Sequence, residues 1–359
     1  MKRFAYEDLK NLVINIFTHI GCSYDDANTI SEVLLAAELR GIPSHGLIRI
    51  SDYINMYESG KINIKPDIKI IYETPTTITL DADKAFGMIA AKKAMNIIIE
   101  KAKKSYTAWA SVINSTHYGI AGYYALMAVK EEMIGISATN ANPLVAPTWS
   151  ISRMLGTNPI AVAIPTKSYP PFVADFATTP IARGKLAILE KQGKSIDYGF
   201  VQDKYGNPST NPAILKEGGA ILPLGSDYEH GSHKGYCLSA IIDIFSAVLG
   251  GANFGPFVPP QVAYIKQQEK EVGKGLGHFF GAMRIDAFRP KNEFLKSMDE
   301  WIYTFKNAKP DNNHNEVLIP GEPEFRNELE NRQKGIPLID EVISELKSIS
   351  SRYNINFIT

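Results

Sequence analysis

The sequence has few cysteines and no excess of charge of either sign, and each shortage excludes a class of protein. Only Cys22 and Cys237 are present, far apart among 359 residues. This argues against a disulfide framework or a thiolate metal cluster and favours a reducing compartment. Lys plus Arg and Asp plus Glu both total 38, so nothing draws the chain to nucleic acid or to an anionic membrane. We expect a small, locally charged ligand instead.

The sequence also lacks a long hydrophobic run. Its longest apolar stretch, residues 236–250, contains Asp243 and is too short to span a bilayer. The first residues turn acidic directly after Lys2 and Arg3, without the apolar segment of a signal peptide. We therefore expect a cytoplasmic protein.

A third absence is the glycine fingerprint of the usual dinucleotide-binding fold. No Gly-x-Gly-x-x-Gly follows a strand, and the glycines of 273–277 are wrongly spaced and follow no strand. A standard dinucleotide fold is therefore disfavoured.

The pattern of apolar residues changes along the chain. Apolar residues recur at helical spacing over 5–20 and again after Ser23, which predicts two amphipathic helices, and Ser44 is placed to cap a third helix from His45 to Tyr57. From about residue 68, strand-like and helical segments alternate, as in mixed α/β domains.

The expected organisation is a helical N-terminal region, 1–72, that packs with C-terminal helices in 291–359, and a central α/β domain, 73–290. Within that domain the apolar runs 160–164 and 172–176 predict central strands covered on both faces. Three further segments are predicted: a buried helix over 236–249, a long surface loop over 251–274, and a buried core position for His278.

Two histidines are candidates for acid/base chemistry. His45 and Arg49 lie four residues apart, so a helix would place them on one face. The N-terminus of that helix and the guanidinium of Arg49 would keep the imidazole of His45 neutral. Arg49 could also bind a carboxylate. His117 follows an apolar strand and precedes a helix, where α/β proteins place ligands. The alternatives are a solvated helix face for the first pair and a capped loop for His117.

Two further positions are candidates for ligand binding. Asp175 ends an apolar strand after loops rich in Asn, Thr, Gly and Pro, although a buried hairpin with a capped loop also explains it. His230, His233 and Lys234 precede a helix, where the glycines and Lys234 could receive a phosphate or the two histidines could bind a metal.

Six motifs, taken in order, resemble the type 2 malate/L-lactate dehydrogenase family, which includes ureidoglycolate, sulfolactate and diketogulonate oxidoreductases. They are Arg40-Gly41-Ile-Pro-Ser44-His45-Gly46 with Arg49, Asn114-Ser-Thr-His117-Tyr-Gly119, Leu155-Gly-Thr-Asn158-Pro159, Asp175-Phe-Ala-Thr178, His233-Lys234-Gly235 and Pro320-Gly321-Glu322.

The resemblance implies an α/β, non-Rossmann nicotinamide-binding fold with a mixed, largely antiparallel central sheet flanked by the N- and C-terminal helices. It implies an NAD(P)-dependent 2-hydroxy acid dehydrogenase, with NAD as the first choice, NADP possible and no metal. Family members form homodimers with the active site close to the subunit interface, so we expect a homodimer. It also implies His45, His117 and Arg49 as catalytic residues, with cofactor bound by Ala141, Asp175, Phe176, Ala177, His233, Lys234, Pro320, Gly321 and Glu322.

The expected substrate pair is malate/oxaloacetate. The absence of a Lys, carried by some relatives, from the loop 140–143 argues against the specificities of those relatives. One alternative is reduction of another 2-oxo or cyclic imino acid. Others are a metal-dependent hydrolase, using His45, His117, His233 and Asp175, and a binding module that has lost catalysis.

Overall fold

The computed structural model describes residues 1–260 and 268–357. Part of the predicted surface loop, 261–267, lies outside the described residues, as do the last two residues of the predicted C-terminal region. The described helices are α1 (Tyr6–His19), α2 (Tyr24–Leu39), α3 (Ile50–Glu58), α4 (Gly87–Ser105), α5 (Ala121–Lys130), α6 (Arg183–Lys191), α7 (Ser232–Asp243), α8 (Lys291–Lys306), α9 (Glu322–Lys334) and α10 (Asp340–Arg352).

The described strands form one large sheet and two small ones. They are β1 (Lys2–Phe4), β2 (Lys69–Glu73), β3 (Thr77–Asp81), β4 (Thr107–Ser115), β5 (Met133–Thr139), β6 (Ile160–Ile164), β7 (Phe172–Phe176), β8 (Val201–Gln202), β9 (Pro208–Ser209), β10 (Ala220–Ile221), β11 (Leu276–Arg284) and β12 (Ile336–Leu338).

The large sheet has the order β2-β3-β4-β11-β5-β6-β7. Within it β3 and β4 pair in parallel and the other neighbours pair antiparallel. The expected mixed, largely antiparallel sheet is therefore confirmed. Because β11 returns late in the chain to lie antiparallel between β4 and β5, its first residues lie beside the C-terminal ends of both strands, Ser115 and Thr139.

The strands β6 and β7 are paired as a hairpin, but the prediction that both are central is wrong. β7 is the last strand of the sheet, and its Asp175 and Phe176 are exposed. On the free side of β7 the backbone N–H of Val173 donates to the carbonyl of Pro320 at 3.0 Å. A sheet edge needs such cover for its unpaired amides, and the loop before α9 supplies it.

The N- and C-terminal elements contact each other. β1 pairs with β12, and the Asn331 side-chain amide of α9 donates to the carbonyl of Leu39 at 3.0 Å. The main hydrophobic cluster includes Leu12 of α1, Leu80 of β3 and Leu346 of α10, all buried. These contacts support the packing of 1–72 with 291–359 around 73–290, which remains our proposal for the domain organisation.

The helix α7 and the π-helical turn Ile244–Val248 that follows it differ from the predicted buried helix. One side carries Asp243, which is buried, whereas Ile241, Ile244, Phe245, Val248 and Leu249 are 45–64% exposed in the chain. The apolar pattern predicted a buried helix, and within the single chain this prediction is wrong for the face that carries these five side chains. In the described part of the chain, no helix combines the length and apolarity needed to cross a membrane.

Candidate functional site

The segment that carries His45 and Arg49 is not the predicted helix. Two short 3-10 turns, Pro43–His45 and Leu47–Arg49, precede α3, which begins at Ile50. Gly46 lies between the turns with ψ near −139°, a backbone value outside the helical range, and it separates them. His45 is therefore not at the N-terminus of an α-helix, and its ring must be held neutral by something other than a helix dipole.

A buried carboxyl fixes this loop. Glu38 of α2 accepts a hydrogen bond from the backbone N–H of Leu47 at 2.7 Å. A Cβ added at Gly46 would lie 2.2 Å from a Glu38 carboxylate oxygen, so glycine is required at this close approach. Burial raises the pKa of Glu38 to about 7, and the Leu47 N–H partly opposes this shift.

We expect replacement of Glu38 by Gln to flatten the dependence of stability on pH. Since the folded-state pKa lies above the ordinary value of 4.5, this carboxyl stabilises the fold below about pH 4.5 and loses that contribution as the pH rises through about 7. The free energy of unfolding of the wild type relative to Glu38→Gln should fall by roughly 1–3 kcal/mol over this range. Urea titrations between pH 5 and 8 measure this difference, and parallel curves for the two proteins would contradict the expectation.

The two histidines meet in space. The rings of His45 and His117 stack with centroids 5.5 Å apart and an interplanar angle of 24°. His117 lies in the loop between β4 and α5, and its Nδ1 lies 2.8 Å from the Tyr53 hydroxyl. His45 Nδ1 lies 3.0 Å from the Ser44 hydroxyl. Each imidazole is thus oriented through Nδ1, as in sites where a third group positions a base.

Both histidines are neutral at pH 7. Burial lowers the pKa of His45 to about 4, and the positive charges of Arg49 and Arg183 lower it further. Burial and the same arginines hold the pKa of His117 well below its usual value. One edge of each ring is open to a cavity, but protein surrounds the rest of it. A neutral imidazole can accept a proton, which is what a general base requires.

Two cavities meet at these residues. The larger, about 190 Å³, is lined by Asp52, Met56 and Lys61 among others. The smaller, about 80 Å³, is lined by His45, Ala141, Asn142 and Thr157 among others. Arg49, His117 and Arg183 line both. These three side chains therefore stand between the two spaces.

Arg183, the first residue of α6, is not among the site residues expected from the sequence. It forms no motif with His45 or His117, and its only sequence signal is a cation at a helix start, five residues after the Asp175-Phe-Ala-Thr178 motif. The fold brings it to the histidines because α6 begins beside Ser44, whose Cβ lies 3.4 Å from the position of a Cβ at Gly184.

The loop after β5 forms one wall of the smaller cavity. The Ala141 N–H donates to the side-chain oxygen of Asn158 at 3.1 Å, and the amide of Asn158 donates to the carbonyl of Ser239 at 3.1 Å. Asn140 is buried and hydrogen-bonds Asn253 and Asp243. This position therefore supports the loop and does not face the cavity. His278 is fully buried, which confirms it as a core histidine.

Part of the predicted cofactor set lies along a separate groove of about 510 Å³. Asp175, Phe176, Pro320 and Gly321 line it, together with Arg40 and Glu324. The Gly122 N–H at the start of α5 donates to Asp175 Oδ2 at 2.7 Å. Burial raises the pKa of Asp175 to about 6, and the Gly122 N–H opposes this shift. The carboxyl is nevertheless open to the groove on one side.

A short segment links this groove to the histidines. Ala177 follows Phe176, and the next residue, Thr178, donates its backbone N–H to the carbonyl of Thr157 at 2.9 Å. Thr157 lines the smaller cavity. An extended segment of three residues spans about 10 Å, so groove and cavity can serve the two ends of one elongated ligand.

Three predicted cofactor residues line neither the groove nor the cavities and lie outside the segment that links them. Glu322 bonds Lys306 at 2.7 Å, Arg326 at 2.6 Å and the Ile319 N–H at 3.1 Å, and it does not line the groove. His233 and Lys234 begin α7 and line neither the groove nor the histidine cavities. The Nδ1 atom of His233 is buried without a partner among the described residues, and its ring packs on Tyr228.

The metal-hydrolase alternative required His45, His117, His233 and Asp175 around one ion. Across residues 1–260 and 268–357, no three His, Cys, Asp or Glu side chains are grouped to hold a metal. The four side chains of that hypothesis are divided between a cavity, a groove and the start of α7. The geometry therefore gives this alternative no support.

Comparison with known proteins adds a family match. A protein-family model described as malate/L-lactate dehydrogenase matches residues 4–347. The chain is 41% identical to a malate dehydrogenase of Pyrococcus abyssi over 355 residues, covering 98% of this chain and 95% of the relative. It is 38% identical to an L-sulfolactate dehydrogenase of Methanocaldococcus jannaschii over 350 residues, covering 98% and 97%.

A solved structure agrees. The crystal structure of malate dehydrogenase from Entamoeba histolytica matches with a TM-score of 0.92 at 35% identity, covering 100% of this chain and 99% of that one. Sequence and fold thus point to the same set of relatives.

Proposed function

Because this chain belongs to the malate/L-lactate dehydrogenase family, we propose that it is an NAD(P)-dependent dehydrogenase of a 2-hydroxy acid, with malate/oxaloacetate as the substrate pair. The observation that carries the proposal is that Arg49, His117 and Arg183 line both cavities at the histidines. In the oxidation of a hydroxy acid, a neutral base can accept the hydroxyl proton, and guanidinium groups can bind the carboxylates.

The residues of the site fit a nicotinamide cofactor. The groove offers the apolar surface of Phe176 and Pro320 beside open carboxylates, and Ala177 and Thr178 lead from it to the cavity lined by Ala141. When bound, the cofactor accepts or supplies the hydride. We assign the remaining chemistry to side chains of this chain.

We assign proton transfer to His117. It lines both cavities, whereas His45 lines only the smaller one. In oxidation, the neutral imidazole takes the hydroxyl proton through Nε2 while Nδ1 keeps its hydrogen bond to Tyr53. In reduction, the same atom returns a proton to the developing alkoxide. His45 stacks against His117 and limits its movement.

We assign the 2-carboxylate of the substrate to Arg49. Its Nε donates to the carbonyl of Ser44 at 3.0 Å and its Nη1 pairs with Asp52 at 2.7 Å. These bonds fix the plane of the guanidinium, which then presents its remaining N–H groups to a carboxylate. An orientation fixed at one carboxylate also determines which face of the substrate carbon is presented for transfer.

The second acidic group of the substrate is assigned to Arg183. With both histidines neutral, the charged side chains among the described residues that line the larger cavity are three cations, Arg49, Arg183 and Lys61, and one anion, Asp52. The cationic excess of two matches a dicarboxylate and exceeds the single charge of pyruvate. This balance favours malate/oxaloacetate over lactate/pyruvate.

We expect Arg183→Gln to reduce the preference for a dianionic substrate. The ratio of kcat/KM for oxaloacetate to that for pyruvate should fall about tenfold or more, because a charge-assisted hydrogen bond is lost for the dianion. Lys65→Gln, an exposed lysine outside both cavities, is the control. A ratio unchanged by Arg183→Gln would remove this residue from substrate recognition.

The proposed function is tested by the loss of reduced-nicotinamide absorbance. NADH and NADPH are offered in parallel with oxaloacetate, pyruvate, sulfopyruvate and a cyclic imino acid. The proposal expects turnover with a 2-oxo acid, fastest with oxaloacetate. Turnover only with the imino acid would favour the alternative reductase, and the absence of turnover and of nucleotide binding would reject the proposal.

We also propose a homodimer in which a second copy covers the exposed face of α7. Ile241, Ile244, Phe245, Val248 and Leu249 recur at helical spacing and are all substantially exposed, and so continuous an apolar stripe marks an interaction surface. A symmetric pair of such faces is the simplest closed assembly.

We expect Ile241→Glu to dissociate this dimer. A charge placed in the centre of an apolar interface lacks a partner and costs several kcal/mol to bury. Sedimentation equilibrium should show a dimer for the wild type and a monomer for the variant. Leu329→Glu, at an exposed apolar residue of α9, should remain a dimer, and dissociation by this control but not by Ile241→Glu would place the interface elsewhere.

We propose a cytoplasmic location because both cysteines are free thiols; Cys22 is buried and Cys237 is exposed. Free thiols are stable in a reducing compartment.

A further inference from the structure

The groove along β7 contains a carboxylate that the proposed function does not use. We propose that Glu324 accepts hydrogen bonds from the ribose hydroxyls in the adenosine half of the cofactor, and that it thereby selects NAD(H) over NADP(H). The inference rests on the proposed function and adds to it the residue that decides cofactor preference.

Glu324 differs from its neighbours on α9 in having no partner. Glu322 is bound by Lys306 and Arg326, and Glu328 pairs with Arg40 at 3.4 Å. Glu324 is half-buried, lines the groove and makes no hydrogen bond or ion pair with the described residues. A half-buried carboxylate is costly unless something binds it, so its two oxygen atoms are available for a ligand.

The other carboxylate of the groove is already engaged. Asp175 accepts the Gly122 N–H at 2.7 Å, a bond that caps α5. Glu324 and Asp175 are close enough for the charge of Glu324 to contribute to the raised pKa of Asp175. Two acidic side chains therefore face the same space, and Glu324 is the one with both oxygens open.

The position of Glu324 is fixed by the backbone. Gly321 has φ +91° and begins α9, and a Cβ added there would lie 2.8 Å from the Cβ of Val173. The preceding carbonyl, that of Pro320, accepts the Val173 N–H. The first turn of α9 is thus held against the edge strand, which keeps the backbone of Glu324 beside the groove.

The charges of the groove distinguish the two cofactors. A carboxylate accepts hydrogen bonds from a vicinal diol, the use that dinucleotide-binding folds make of an acidic residue. A 2′-phosphate would instead bring nearly two further negative charges beside Glu324 and Asp175. Among the described residues of the groove wall the one guanidinium, that of Arg40, is already paired with Glu328. Repulsion therefore disfavours NADPH.

The test is direct binding, without substrate, followed by the fluorescence of the reduced nicotinamide. The wild type should bind NADH at least tenfold more tightly than NADPH. Glu324→Gln keeps the size of the side chain but removes its charge, so the ratio of the two dissociation constants should fall about tenfold, mainly through tighter NADPH binding. Glu341→Gln, at an exposed residue of α10, should leave the ratio unchanged.

The outcomes separate this inference from the function on which it rests. A wild type that prefers NADPH, or a ratio that Glu324→Gln alters by less than twofold, would overturn the role of Glu324 while leaving the dehydrogenase proposal intact. Failure of the wild type to bind either nucleotide would overturn both. Glu324→Lys provides a second variant: reversal of the charge should favour NADPH further than the neutral substitution, and no gain over Glu324→Gln would contradict an electrostatic cause.

Discussion

Replacement of His117 by alanine is expected to lower kcat by about two to four orders of magnitude, the usual contribution of a positioned acid or base. The loss arises because, among the described residues, no other side chain that lines both cavities can exchange a proton near pH 7: the remaining two, Arg49 and Arg183, are guanidinium groups. Single-turnover measurements with oxaloacetate should show the loss in the chemical step. Binding of NADH should be much less affected than kcat, since the groove assigned to its adenosine half lies apart from His117.

Two further variants separate proton transfer from positioning. His45→Ala should cost less than His117→Ala, because His45 contacts His117 but lines only the smaller cavity. Tyr53→Phe removes the hydroxyl bonded to His117 Nδ1 and should lower kcat modestly while shifting its pH profile, whereas a purely structural role would leave the profile unmoved. A larger loss in His45→Ala than in His117→Ala would transfer the role of base to His45.

Sequence periodicity predicted most helices because their buried stripes are local. α1 and α2, with its Ser23 cap, follow the predicted segments closely. The prediction of a helix that starts at His45 was wrong because the conformation of residues 43–49 depends on a distant carboxylate, that of Glu38. No short-range sequence pattern contains its hydrogen bond to Leu47. The edge position of β7 was missed for a similar reason, since strand order is a property of the whole sheet.

The candidate site shows the same limit. Motifs gave His45, His117 and Arg49, which the fold brings together. Arg183 reaches them only through the packing of α6, and no spacing within the sequence reports that approach. Of Pro320-Gly321-Glu322, the first two residues line the groove, but the ion pair of Glu322 with Lys306 turns its carboxylate to α8. Which acidic side chain faces the groove depends on partners that are remote in the sequence.

Replacement of Arg49 by lysine is expected to raise KM for oxaloacetate about tenfold to a hundredfold, with a smaller effect on kcat. Lysine retains the charge, but its three donors cannot supply the four hydrogen bonds to Ser44, Asp52 and both oxygens of a substrate carboxylate, whereas the guanidinium has five donors in one plane. Steady-state kinetics at saturating NADH separate the two parameters. Arg352→Lys, in an exposed pair with Glu58, is the matched control and should leave both unchanged.

The direction of the Arg49→Lys effect also tests how the charge is used. If a point charge sufficed, KM would stay within about twofold of the wild type, and the bidentate assignment would be wrong. If instead kcat fell more than KM rose, Arg49 would act mainly on the reacting geometry and not on substrate affinity. Since Nε and Nη1 already hold the two loop bonds of Arg49, its remaining N–H groups are the donors for the substrate, and we expect the outcome in KM: the lysine would keep the charge near Asp52 and leave the substrate carboxylate with one donor where the arginine offered a pair.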